Sequence, residues 1–253
     1  MLNCSNNTRR SASVFSMLCL LCLFPPGTAQ AISLGQIDNF EDGTLQDWRM
    51  GFSATTADHM TNIADGGPAG TGDNYLQVAP ISTELFGGNR LTFFNTQQWQ
   101  GNYTAAGITA IAMDVQNFSS SEVLNLRLGI NGGYVDPNTG TSYIGGTFTT
   151  SSISLDSGSG WTRVVFSLLP GDLIASDVGR SSNTPGNNVQ ATLANVLELR
   201  LLNSATADWN GLPVTATLGV DNIQAVPLPP ALALFASGLM LLLPGRRKKY
   251  IQS

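Results

Sequence analysis

The feature that most constrains this chain is a strict two-residue alternation. Leu124, Leu126, Leu128 and Ile130 alternate with Asn125, Arg127 and Gly129. Leu197, Leu199 and Leu201 alternate with Glu198 and Arg200, and Ile111, Met113 and Val115 with Ala112 and Asp114. Successive side chains of a strand point to opposite faces, so this pattern specifies antiparallel strands with one buried and one wet side. Residues 48–53, 75–79, 91–95, 143–150, 161–166 and 215–224 read as further strands. Turn clusters punctuate them: Asp65-Gly66-Gly67-Pro68, Gly87-Gly88-Asn89, residues 136–140 and residues 184–188. Helical periodicity never runs beyond about two turns. The expected body is therefore all-β, an antiparallel β-sandwich of the jelly-roll kind. Trp48 and Trp161 are expected in its core, and the polar stretch 170–190 as a long surface loop.

Charge is distributed unevenly. Residues 32–226 hold six arginines, no lysine and all seventeen acids, a formal charge of −11. Phosphate backbones need a basic footprint, so nucleic acid is excluded as a partner. The three cysteines, Cys4, Cys19 and Cys22, all precede that body, which removes thiol nucleophiles, disulfides and thiolate metal sites from it. A single histidine, His59, stands there, and is expected at the surface or a sheet edge.

The two ends read as addresses. Arg9 and Arg10 precede the apolar run Val14 to Phe24, and Pro25-Pro26-Gly27 precede Ala29-Gln30-Ala31. These are the flank, helix and small-residue cleavage site of a secretory signal peptide, with Ala29 and Ala31 at −3 and −1 for signal peptidase. At the other end, residues 226–230 are Pro-rich, Pro230 to Leu243 is apolar, and Arg246, Arg247, Lys248 and Lys249 follow. Such a helix is short for a span at roughly 1.5 Å per residue, and its cations belong on the cytoplasmic side. The predicted organisation is a signal helix over 1–31, a sandwich over 32–225 and a sorting tail with a short hydrophobic helix over 226–253.

Pro motif, short apolar helix and basic cluster, in that order, resemble the PEP-CTERM sorting signal in its VPLP-type variant. The resemblance implies recognition at Val226, Pro227, Leu228 and Pro229, and a basic stop at Arg246 to Lys249. It implies processing by an exosortase-type enzyme of exopolysaccharide-making Gram-negative bacteria. Leu228 stands where the eponymous Glu would be, and Pro230 where Ala is usual. The implied route is export, transient anchoring in the inner membrane, then the cell surface or extracellular matrix.

A second resemblance is looser. Ile37-Asp38-Asn39-Phe40-Glu41-Asp42-Gly43-Thr44-Leu45-Gln46-Asp47-Trp48 is similar to the opening of carbohydrate-binding-module jelly rolls, and Leu218-Gly219-Val220-Asp221-Asn222-Ile223 to their last strand. It implies that first and last strands are neighbours and that Glu41 and Asp221, with backbone carbonyls, hold a structural calcium; no other cofactor is expected. The alternation slips between Val220 and Ile223, as at a bulge that re-aims a side chain. Trp99 and Tyr103, among Gln97, Gln98, Gln100 and Asn102, have the composition of a glycan surface, as do Tyr134 and Tyr143. Capping of the core is the competing role for Trp99 and Tyr103.

Catalysis is not expected. Glycoside hydrolysis needs two carboxylates at a fixed separation, and the acids here are scattered singly apart from Glu41-Asp42. No Gly-x-Ser-x-Gly elbow exists for a hydrolase nucleophile. The function expected is adhesion or exopolysaccharide contact by an exported non-catalytic protein, the alternative being a carbohydrate-binding module with a defined sugar site.

Overall fold

The computed structural model describes residues 32–50, 59–80, 89–135, 138–176, 188–207 and 209–227. The signal segment, Leu228 and Pro229 of the Pro motif, the apolar tail and the basic stop lie outside them. Thirteen strands are described: β1 (Ile37–Asp38), β2 (Arg49–Met50), β3 (Met60–Ile63), β4 (Tyr75–Val78), β5 (Thr92–Asn95), β6 (Ala110–Asn117), β7 (Leu124–Val135), β8 (Ser142–Thr149), β9 (Ile153–Leu155), β10 (Thr162–Ser167), β11 (Leu173–Ser176), β12 (Val196–Asn203) and β13 (Leu218–Val226). They form two antiparallel sheets packed as a β-sandwich. The first runs β10-β6-β13-β4-β3, with β1 also on β13; the second runs β11-β8-β7-β12-β5-β2, with β9 also on β7.

Alternation does what its period requires. Leu126, Leu128, Ile130, Leu199 and Leu201 of the second sheet are buried, as are Leu76, Met113, Val115, Leu218 and Val220 of the first. Each contributes roughly 1.5–3 kcal/mol by leaving water. The same register puts Arg127, Gly129, Glu198 and Arg200 on the second sheet's outer side.

Two short helices interrupt the strands: α1 (Tyr103–Ala106) and α2 (Val189–Ala194), capped by Asn102 and Asn188 side chains. α2 lies so close over β7 that a Cβ on Gly132 would stand 2.7 Å from the Thr192 backbone. The expected long loop over 170–190 is therefore broken by a 3₁₀ turn (Pro170–Asp172), by β11 and by the start of α2. Polar, Gly-rich composition concealed them because an edge strand and an end-capping helix need few apolar residues. β13 also overruns the expected boundary. Val226 pairs with Ala110, and its carbonyl accepts the Thr109 N–H, so the first residue of the Pro motif belongs to the sheet.

Candidate functional site

The outer face of the second sheet gathers chemistry that no single segment carries. One row crosses the strands: Ile174 stands opposite Phe148, Phe148 opposite Gly129, Gly129 opposite Arg200, Arg200 opposite Phe94 and Phe94 opposite Arg49. At about 4.8 Å per strand the row spans roughly 24 Å. The loop after β12 folds back over it. Trp209 lies with its ring 3.9 Å from the Arg200 guanidinium and meets Phe148 edge-on at 5.5 Å. Gly129 leaves room beneath, since a Cβ there would stand 3.0 Å from Phe148 and 3.4 Å from Trp209.

Three arginines hold that loop down. Arg200 Nη1 donates to the Trp209 carbonyl at 2.8 Å, Arg90 Nη1 to the Gly211 carbonyl at 2.6 Å, and Thr92 Oγ1 to the Asn210 carbonyl at 2.8 Å. Arg127, which also donates to the Thr149 carbonyl, reaches the carbonyls of Ser204 and Ala205. Arg200 Nε also donates to Glu198 Oε1 at 2.7 Å, in a pair almost wholly out of water. Burial pulls the guanidiniums of Arg127 and Arg200 down from the ordinary arginine value, opposed at Arg200 by Glu198. Trp209 is left partly exposed, and further along the row the exposed Arg49 has its guanidinium 5.7 Å from the Phe94 ring. Asn131, opposite Glu198 in the ladder, has a buried Oδ1 that no donor reaches. An indole fixed beside an acid, an amide and guanidinium groups offers a stacking surface together with hydrogen-bonding groups.

The residues expected to bind glycan are arranged otherwise. Trp99 and Tyr103 are fully buried and offer no face to a ligand, which corrects that expectation. The reason is Asp38, a buried carboxylate on β1. Its Oδ2 accepts the indole N–H groups of Trp99 at 2.6 Å and Trp48 at 2.7 Å, and Gln98 Nε2 at 3.1 Å. Tyr103 donates its hydroxyl to the Trp99 carbonyl at 2.9 Å. Burial pushes the Asp38 carboxyl up despite those donors. Tyr134 and Tyr143 are register partners in the β7–β8 ladder. His59, expected at a surface or edge, is buried with its Nδ1 unpartnered. Trp48 is buried as expected, whereas Trp161 lies partly exposed on the outer side of the first sheet.

β1 and β13 are neighbours, Ile37 opposite Gln224. The β13 register against β6 shifts by one residue between Asp221 and Gln224, and Asn222 adopts a φ of 50°. Asp221 is 1 % exposed. Burial, aided by the charges of Asp73, Asp114 and Glu41 and opposed by the Asn222 N–H, pushes its carboxyl up to about 7. Asp73 and Asp114, which the sequence reading did not include, act on it more strongly than Glu41. Glu41 Oε1 accepts the Asn74 N–H at 2.9 Å. Among the described residues no group of three or more His, Cys, Asp or Glu side chains is placed to hold a metal ion, and no helix is long and apolar enough to cross a membrane.

No family model matches the chain, and neither does any curated protein. Solved structures with a similar fold include the family 11 carbohydrate-binding module from Clostridium thermocellum in complex with a β-1,3-1,4-mixed-linked tetrasaccharide. It is 15% identical, with a TM-score of 0.45, over 77% of this chain and 96% of that one. The CBM22-1 xylan-binding domain of Xyn10C from Paenibacillus barcinonensis is 14% identical with a TM-score of 0.39, over 77% and 96%. An exo-β-agarase is 13% identical with a TM-score of 0.46, over 78% of this chain and 25% of that one.

Proposed function

We propose that this chain is an exported, non-catalytic surface protein whose sandwich binds a glycan through the outer face of its second sheet. The observation that carries the reading is the partly exposed Trp209 ring, held against the Arg200 guanidinium and edge-on to Phe148, with three consecutive carbonyls of its loop held by Arg200, Thr92 and Arg90. Anchoring of that kind prepays the ordering of a stacking platform, which raises affinity. Glu198 on this face is bonded to Arg200 rather than set against a second acid, which favours binding over glycoside hydrolysis. The test is retention of the full chain, in mild detergent, by gels containing mixed-linkage β-glucan, xylan, agarose or alginate. Retention that Trp209→Ala weakens supports the reading; absence of retention on every gel, or retention unchanged in that variant, overturns it.

Delivery is proposed from the ends of the chain. Signal peptidase would cut after Ala31, and an exosortase-type enzyme would act at the tail beginning with Val226 and Pro227, releasing the sandwich to the cell surface.

A structural calcium is proposed at Glu41 and Asp221. The fit rests on Asp221, whose negative charge is disfavoured by burial and by the neighbouring acids Asp73, Asp114 and Glu41, a situation that a cation would relieve. Calcium takes six to eight oxygen ligands, which two carboxylates with carbonyls and water supply. Bound there, it would tie the first strand's exit to the bulge of the last.

A further inference from the structure

We propose that the sandwich carries a second glycan-contact surface, on the outer side of its first sheet, and is therefore bivalent. The proposal rests on the reading of the domain as a carbohydrate binder, but on different residues. Tyr75, Phe118 and Trp161 form one aromatic cluster: Tyr75 and Trp161 meet edge-on at 5.2 Å, Tyr75 and Phe118 at 5.8 Å, and Phe118 and Trp161 at 6.3 Å with planes at 90°. Edges of the Phe118 and Trp161 rings rest against Gly219 of β13. A Cβ at that position would stand 2.7 Å from Phe118 and 2.8 Å from Trp161, so only glycine lets them approach the sheet so closely.

The cluster is fixed and yet open. The Trp161 indole N–H donates to the Gly66 carbonyl at 2.9 Å, which sets the ring's orientation. Gly66 belongs to a loop that is itself cross-bonded: the Gly67 N–H donates to the Asp73 carbonyl at 2.9 Å and the Gly72 N–H to Asp65 Oδ1 at 2.7 Å. Tyr75 is buried beneath, whereas Phe118 is 39 % exposed and Trp161 partly so. A small core of three rings would be closed by a fourth apolar group, and here the neighbouring row is polar. Gly219 stands between Gln116 on β6 and Gln77 on β4, and Gln77 faces Thr61 on β3. Two amides and a hydroxyl beside the partly exposed Phe118 and Trp161 form an uncharged hydrogen-bonding row in a body of net charge −11. That combination matches a pyranose, with its apolar C–H face and ring of hydroxyls, better than an apolar protein surface or a charged ligand.

Trp209 and Trp161 sit on the outer sides of opposite sheets, so two sites would engage separate polysaccharide strands, and matrix chains would be cross-linked through one domain. Linking two weak contacts raises retention by about 100-fold without a new contact at either.

The experiment uses the full chain in mild detergent with whichever of β-glucan, xylan, agarose or alginate retains it. Wild type is expected to cross-link that polysaccharide in solution, read as turbidity. Phe118→Gln and Trp209→Ala are each expected to abolish turbidity and weaken retention about 100-fold, and the pair together to abolish retention. Trp161→Phe, which keeps a ring but loses the indole N–H, separates loss of the platform from loss of fold, with near-ultraviolet circular dichroism as the check. Wild-type turbidity in Phe118→Gln overturns the proposal, as does complete loss of retention in Trp209→Ala alone. A shift from dimer to monomer in Phe118→Gln with retention unchanged also overturns it, in favour of a second copy as occupant. No retention of wild type on any gel fails the glycan reading itself, a result visible before any variant is made.

Discussion

Arg200 grips Trp209 twice: its guanidinium lies 3.9 Å from the ring centroid while Nη1 holds the same residue's carbonyl at 2.8 Å. The indole and the backbone that carries it are thus set by one side chain, itself wedged against Phe94 at 5.0 Å. Platform and sheet move as a unit, which is what a preformed binding face requires.

Removing that grip should be costly. Arg200→Met is expected to destabilise the fold by about 3 kcal/mol, because it strands Glu198 without its partner. Adding Glu198→Gln should recover part of the loss. Urea unfolding of the two single variants and the double variant measures the coupling, and strict additivity would show that the pair is not linked.

Gly219→Ala tests the other face. Its Cβ would overlap ring edges rather than backbone, so the rings should lift from the sheet at about 1 kcal/mol. The near-ultraviolet dichroism of Trp161 should change while far-ultraviolet dichroism stays constant. An unchanged near-ultraviolet spectrum would mean that the rings do not rest on this glycine.

Asp38 predicts a pH dependence. Burial raises its carboxyl above the ordinary value of 3.8, with Asp42 adding to the rise and Trp99, Trp48 and Gln98 opposing it. Tyr103, packed alongside, has its own hydroxyl pushed up by burial and by Asp38. The folded state therefore holds this proton more tightly than the unfolded chain. Its stabilising contribution is full below 3.8 and is lost as the pH rises through the raised value. Asp38→Asn should flatten that part of the stability profile; equal slopes in the two proteins would remove Asp38 as its source.

Calcium should raise the thermal midpoint of wild type over that in chelator, since a ligand bound by the native state alone stabilises it. Asp221→Ala should lose the response. A midpoint indifferent to chelator would exclude the ion.

Intact-mass measurement of protein recovered outside the cell should begin at Ile32 and lack the apolar tail. Pro227→Ala with Pro229→Ala should leave the protein in the inner membrane, and normal release of that double variant would exclude the Pro motif as the sorting signal.

The alternation of Leu124 to Ile130 and of Leu197 to Leu201 was enough to specify strands, their buried faces and the sandwich class, because side-chain direction in a strand is a local property with a period of two. The slip at Asp221 was equally legible, since a bulge displaces the pattern within its own strand. The binding face was not. Glu198 and Arg200 stood in the sequence as the wet members of an alternating run, the only signal available, and nothing local joins them to Phe94, Phe148 or Trp209. Trp99 and Tyr103 had the composition of a surface site, yet Asp38, some sixty positions earlier in the chain, draws the Trp99 indole inward. Which strand lies beside which, and where a loop folds back, are settled by pairing between distant segments, so the chain alone determined the strands and their faces, and only their assembly decided which aromatic rings meet water.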